Sequence, residues 1–366
     1  MTTRSKPRRP LFPLLFTTLF ATAGLACRNG ATSAEGGSGT SVHAEVRSSA
    51  MGDRHHATVA GRSADARRVL TFEGTCDASG AVELDDRTLV IADDENNSLR
   101  VYDAERGGRP LHEFDVSQAL GLEKPHKAES DFEAGTRAGD RAYFIASHGR
   151  TSKGKRDTNR LVFFAATLPR DGQPLSIVGE PYRELLDDLT TDPKLAAFQL
   201  EQAAQRAPKE PDGMNIEGMT SQPDGSVLLG FRSPVPGGRA LLVRLLNPDA
   251  VIRGEKAKLS DPVRLDLGGL GVRALSSWNA GYLIVAGPSG DGGPFKLFRG
   301  DEEGALAVPG VDLEGFGAEA LFTPDTGDQV LVLSDDGTRL VEGRPCKKLK
   351  DPSKKSFRGV WVRLPR

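Results

Sequence analysis

Beyond Val69 the chain repeats one arrangement of apolar and polar positions five times. Each copy opens on a short polar start, passes through small and apolar residues to a turn, and continues into a strongly apolar stretch that ends in polar residues. Recurrence at such spacing marks a repeat architecture before any single strand is assigned. The copies begin Asp77-Ala78-Ser79-Gly80, Asp131-Phe132-Glu133-Ala134, Asn215-Ile216-Glu217-Gly218, Gly271-Val272-Arg273-Ala274 and Gly317-Ala318-Glu319-Ala320. The apolar stretches that follow, at 88–92, 142–146, 227–231, 282–286 and 329–333, are rich in the β-branched and aromatic side chains of buried strands. Asp85-Asp86 and Asp224-Gly225 supply turns between the paired strands.

A third strand is predicted in each copy, at 98–102, 160–165, 240–245, 295–298 and 359–364. A fourth is predicted after the first four copies, at 111–116, 176–182, 263–267 and 305–311. The fifth copy has no residues left for it, whereas Arg68-Val69-Leu70-Thr71-Phe72 stands unassigned before the first. Four-stranded units in a ring, the last completed by the N-terminal strand, describe an all-β fold of the β-propeller class with five blades. Six blades stay open as the alternative, because 84 residues separate Glu133 from Glu217. That interval holds Leu185, Leu186, Leu189, Leu195, Phe198 and Leu200 at helical spacing, read as two short amphipathic helices inserted over 181–212. A small separate helical domain is the other reading of this stretch.

The residues before the repeats differ in kind. Arg4, Lys6, Arg8 and Arg9 precede the apolar Leu11–Phe20, and small residues lead to Cys27. This is the layout of an export signal, too short and too interrupted for a permanent span. Gly24-Leu25-Ala26-Cys27 resembles a bacterial lipoprotein signal, in which Cys27 would be acylated; ordinary secretion is the alternative. Residues 28–66 are rich in Gly, Ser, Ala and Thr without hydrophobic period, as in a flexible tether that leaves 67–366 as the folded domain. The expected location is the bacterial cell envelope or the exterior, with membrane contact through a lipid anchor only.

Composition narrows the function classes. The 366 residues carry 48 Lys+Arg against 50 Asp+Glu, a net charge of −2, which excludes a general nucleic-acid binder relying on a basic face. Gly at 42 and Pro at 23 residues suit many turns. The chain has no Gly-x-Ser-x-Gly elbow, P-loop, Cys-x-x-Cys or His-Glu-x-x-His, so serine-hydrolase, nucleotide-kinase and zinc-protease chemistry is unsupported. A monomer is expected.

Propeller topology collects the candidate chemistry on one face. Loops entering the first strand of each blade place Asp77, Ser79, Asp131, Glu133, Asn215, Glu217, Arg273 and Glu319 around the channel mouth. Loops between second and third strands place Asp93, Asp94, Glu95, His148, Arg150, Arg232, Asp335 and Asp336 outside them. Crowded carboxylates need cations or shared protons. Their hard oxygens, with Asn215, favour Ca2+ or Mg2+ over zinc, giving Asp131, Glu133, Asn215, Glu217 and Glu319 as candidate metal ligands. Asp77, Asp93, Asp94, Arg150, Arg232 and Arg273 are candidate ligand-binding residues, and His148 a candidate acid or base. Strand capping is the alternative role for the acids, and Lys153, Lys155, Arg156 and Arg160 read more simply as a solvated basic loop. Cys76 and Cys346 fall in loops of blades one and five, neighbours in the ring, so a disulfide is expected across the closure; two unrelated thiols are the alternative.

Several motifs together carry a family resemblance: 74–79 (Gly-Thr-Cys-Asp-Ala-Ser), 92–96 with 99–102, 129–133 (Glu-Ser-Asp-Phe-Glu), 147–150 (Ser-His-Gly-Arg), Ile216-Glu217-Gly218, 230–234 and 267–273. The chain resembles the bacterial proteins grouped as domain of unknown function 3616 over 69–300. The resemblance implies a propeller and no activity. A looser likeness is to esterase-like phytases, propellers that also start inner strands with Glu-Gly or Glu-Ala; fold likeness alone does not transfer function. Two readings follow: a propeller that binds a ligand or protein partner at the channel mouth, and a metal-dependent hydrolase of an anionic (phospho)ester or lactone. In the hydrolase, Glu133 and Glu217 would hold the ion and His148 would move the proton.

Overall fold

The computed structural model describes residues 68–123, 129–169, 173–290 and 292–365. The leader, Cys27 and the tether lie outside the described residues. Alternation of apolar and polar positions, punctuated by turns, folds 68–365 into five four-stranded antiparallel sheets. Blade one contains Gly80–Asp85, Thr88–Ala92, Ser98–Asp103 and His112–Asp115. Blade two contains Phe132–Ala138, Arg141–Ala146, Phe163–Thr167 and Ser176–Tyr182. Blade three contains Asn215–Ser221, Val227–Ser233, Ala240–Leu245 and Val263–Leu265. Blade four contains Gly271–Trp278, Gly281–Gly287, Lys296–Gly300 and Ala305–Ala307. Among the described residues no helix is long and apolar enough to cross a membrane.

Blade five is built from both ends of the domain. Ala318–Phe322, Gln329–Ser334 and Ser356–Arg363 are completed by Val69–Glu73, which pairs antiparallel with the last strand from Val69↔Val360 to Glu73↔Ser356. The five-blade expectation and its closure are therefore met. The last strand begins at Ser356, three residues before the expected start, because the N-terminal strand pairs along that extra length.

The side chains at this seam form an apolar stack. Phe72 is fully buried, lies parallel to Phe357 at 4.8 Å between centroids, and meets Tyr102 of blade one edge-on at 5.5 Å. The Tyr102 hydroxyl donates to the Glu73 carbonyl at 2.8 Å, so the one polar atom of the stack is satisfied. The absent side chain of Gly359 is what admits the Phe72 ring, since a Cβ there would sit 3.0 Å from Phe72 Cε2. Blades three and four meet just as closely: a Cβ on Gly218 or Gly230 would lie 2.5 or 2.7 Å from Val272 Cγ1.

The insertion runs from 183 to 214 and contains the helices Leu185–Thr191 and Leu200–Ala203 with a 3-10 turn, Pro193–Phe198, between them. Asp192 caps that turn by accepting from the Lys194 amide, and Pro193 starts it without losing a needed donor. Leu185, Leu186, Leu189, Leu195 and Leu200 join one core with Tyr143, Phe163, Phe231 and Leu241, so the insertion shares the core of blades two and three.

One strand starts later than its pattern suggests. Residues 160–165 were expected as the third strand of blade two, but Arg160 ends a 3-10 turn capped by Asp157, and the strand begins at Phe163. The turn turns the Arg160 guanidinium onto Asp131 at 2.6 Å.

If the seam closes the ring, Phe72→Ala should cost about 3–5 kcal/mol. Removing residues 68–73 should cost more, because it exposes the edge of Ser356–Arg363. Urea unfolding followed by tyrosine and tryptophan fluorescence reads both; a truncated chain with an unchanged midpoint would refute the closure's importance.

Candidate functional site

Four inner strands carry the same irregularity at the same place. Phe132 pairs with Ala146 and Ala134 with Ile145, which leaves Glu133 as an extra residue in the ladder. The register skips Glu217 between Ile216 and Gly218, Arg273 between Val272 and Ala274, and Glu319 between Ala318 and Ala320. A β-bulge re-aims the side chain it releases from the pleat. Here it gathers glutamates from blades two, three and five, whose nearest oxygens all lie within 4.8 Å of one another. In blade one the equivalent residue, Ser79, precedes the strand, and the register shift falls instead between Glu83 and Asp85.

The charges are arranged around Arg273. Its Nε lies 2.9 Å from Glu217 Oε2, and its terminal nitrogen donates to Glu319 Oε1. Arg232 Nη1 donates to Glu217 Oε1 at 2.8 Å while its other nitrogens meet the carbonyls of Ser289 and Gly290. Asn215 Nδ2 also donates to Glu217 Oε1, at 2.7 Å. Glu217 Oε1 thus accepts from two protein donors, while Oε2 is met by the Arg273 charge without a hydrogen bond among the described residues. Glu133 has no such partner among the described residues. Burial raises its carboxyl well above the usual range, and Glu217 and Asp131 push it further.

The other expected residues are placed as follows. Asp131 is taken by Arg160, and burial raises it in spite of that cation. Asp77 does not join the glutamates; its oxygens group with Asp93 and Asp94. Asp93 holds Arg100 at 2.6 Å. Arg150 donates to the carbonyls of Ala204 and Gly154 and to Gln205, so it fastens its own loop to the helical insertion. His148 is 1% exposed and in the left-handed region at φ 55°. Its Nδ1 lies 2.8 Å from the Ala146 carbonyl, which fixes that nitrogen as the protonated one, and Nε2 meets no partner. Burial lowers it to about 4, with no carboxylate opposing. It is not among the side chains whose donor atoms group with the glutamates. Cys76 and Cys346 are joined by a disulfide with their Cα atoms 5.8 Å apart, on the strap that also carries the hydrogen bond from Asp336 N to Cys76 O.

Sequence reasoning missed the opposite end of the channel. A cavity of about 290 Å3 there is lined from all five blades, by Glu83, Arg137, Thr220, Ser276, Thr323 and Asp325 among others. Burial, with Asp325 adding to it, raises Glu83 to about 7, and Arg137 opposes the shift. The signal was the polar residue at the end of each inner strand, which reads as an ordinary strand exit.

Residues 175–329 match the family model described as "Protein of unknown function (DUF3616)". The motifs at 216–218, 230–234 and 267–273 lie inside that segment. No curated protein matches the chain. Among solved structures, the chain is similar to the glutaminyl cyclase of Myxococcus xanthus, at 11% identity over 82% of this chain and 96% of that one, with a TM-score of 0.42. A virginiamycin B lyase from Staphylococcus aureus is similar at 10% identity over 81% and 100%, with a TM-score of 0.38. A gluconolactonase from Xanthomonas campestris is similar at 11% identity over 82% and 90%, with a TM-score of 0.36.

The buried imidazole makes a pH prediction. A histidine whose folded value lies near 4 against an ordinary 6.5 contributes stability that is present above 6.5 and is lost as pH falls towards 4. The full loss is about 3 kcal/mol. Urea midpoints measured from pH 7.5 to 4 should fall more steeply for the unaltered protein than for His148→Gln; parallel curves would contradict the assignment.

Proposed function

We propose that the chain is an exported, lipid-anchored propeller that binds a ligand through a cationic group at the channel mouth, with Glu133 as the residue that meets it. The carrying observation is the unequal use of cations: Arg232 and Arg273 are paired with Glu217 and Glu319, and Glu133 has no ion pair among the described residues. An unpaired carboxylate in so buried a place is costly, and a ligand's ammonium group or a divalent ion would remove that cost. The export and anchor reading draws on the basic and apolar leader, Cys27, and two further cysteines joined as a disulfide, a bond that persists outside the cytosol.

The second reading, a metal-dependent hydrolase of an anionic (phospho)ester or lactone, is favoured by the grouping of Glu133, Glu217 and Glu319 oxygens. It asks more of the molecule. An ion on Glu217 would have to displace Arg232 or Arg273, and the neutral His148 would need a route to the site. Binding is therefore the reading adopted.

Calorimetric titration of the full chain with primary amines, polyamines, Ca2+ and Mg2+ tests it. Binding by a cation of one of these kinds should weaken at least tenfold in Glu133→Gln, about 1.4 kcal/mol. Equal affinity in the variant, or no binding of any of these cations, would defeat the reading. Cys27→Ser should move the expressed protein from the detergent phase to the aqueous phase on partition; retention in the detergent phase would remove the anchor.

A further inference from the structure

A second carboxylate group, sharing no residue with the glutamates, lies where blade one meets blade five. Asp77 follows Cys76, Asp93 and Asp94 follow the second strand of blade one, and Asp335 follows the second strand of blade five. One oxygen each of Asp77, Asp93 and Asp94 lie within 4.8 Å of one another. Asp335 faces Asp77 across Gly337, whose Cα leaves the space: a Cβ would sit 2.2 Å from Asp77 Oδ1 and 3.0 Å from Asp335 Oδ1.

Two of the cations nearby are engaged with other carboxylates. Arg100 serves Asp93, and Lys355 serves Glu95 at 3.0 Å. Lys347 is exposed, and it feels Asp335, Asp77 and Asp94 without an ion pair to any of them among the described residues. The independent observation is Asp77 itself. It is 2% exposed, its carboxylate is turned into the group, and its Oδ2 meets no donor. Asp94 Oδ1 is likewise sealed and unpartnered. Burial, then Asp335 and Asp94, raise the Asp77 carboxyl far above its ordinary range, as expected for a site short of positive charge.

We propose that a divalent cation of the Ca2+ class binds between blades one and five on Asp77 and Asp94, with Asp93 and Asp335 completing an all-oxygen surround. Donors of this kind, without histidine or thiolate, select a hard ion, and the loop-built geometry suits the flexible coordination of Ca2+ better than the strict octahedron of Mg2+. The ion would join the two blades beside the disulfide, clamping the ring at its seam. Its ligands are distinct from the glutamates of the channel mouth, and the proposal does not depend on the reading of Glu133.

The test uses the full chain stripped with a chelator. Ca2+ should bind at one ion per chain on the seam and raise the melting temperature by on the order of 5 °C at a hundredfold excess over Kd. Asp94→Asn and Asp335→Asn should lose most of that rise, and Glu133→Gln should keep it, which separates this site from the channel mouth. Asp94 is only partly buried, so Asp94→Asn serves even where Asp77→Asn fails to fold. No Ca2+ response, or a full response in Asp94→Asn, overturns the proposal. So does a stripped protein that gains stability from pH 8 to 5 and ignores Ca2+, the behaviour of carboxyls sharing a proton.

Discussion

The structure depends on one pairing, that of Val69–Glu73 with Ser356–Arg363. An inner strand holds its place only because a blade lies on each side of it. Without the N-terminal strand, blade five would have an open edge, and the core shared by blades one and five would lose Leu70 and Phe72. With it, Phe72, Tyr102 and Phe357 form a sealed stack across the seam, and Leu89, Ile91, Leu331 and Leu333 pack around them. The spacing of residues around the channel follows from that closure, including the three glutamates that come from blades two, three and five.

The channel mouth shows how a repeat protein can keep one backbone device and vary its chemistry. The bulge recurs in four blades, while the residue it presents is Glu, Glu, Arg and Glu in turn. The arginine at the fourth place bridges the glutamates of blades three and five, and Arg232 places a second cation on Glu217 from the neighbouring strand. A fourth glutamate in place of Arg273 would crowd like charges in a dry site. The arrangement neutralises two acids internally and leaves the third, Glu133, with an unmet demand for positive charge. Asymmetry within a nearly symmetric ring is thus what distinguishes one position from the rest.

Much of this was legible in the residues. Alternating apolar stretches and turn residues specify the blades, and the leftover strand at the N-terminus specifies how they close. Equivalence of Glu133 and Glu217 in the repeat places them together despite their distance along the chain. What pattern could not show was which residue answers which. A bulge shifts a ladder by one residue without changing the count of apolar positions, so its effect on Glu319 and Arg273 is invisible in one dimension. Asp77 occupies the same repeat position as Asp131, yet it turns to the seam because the inner strand of blade one begins only at Gly80. Arg150 reads as a ligand-binding cation, and its role as a clasp for the insertion depends on the carbonyl of Ala204, far away in sequence. The Arg160 displacement came from a capping aspartate that an apolar count does not weigh.

The Cys76–Cys346 bond bears on how such a ring could be assembled at all. The two closing strands are distant in sequence, so their meeting would ordinarily require nearly the whole domain to be looped first, the kind of non-local contact that slows folding. Both strands lie outside the 270-residue span that the disulfide ties off, one ending three residues before Cys76 and the other starting ten residues after Cys346. Once the bond is present, the connection between them runs through the sulfurs and is short. Closure then becomes a local event, comparable to joining two strands by a modest loop, and the entropy of finding the partner falls accordingly. In an oxidised chain the pairing that closes the ring joins near neighbours.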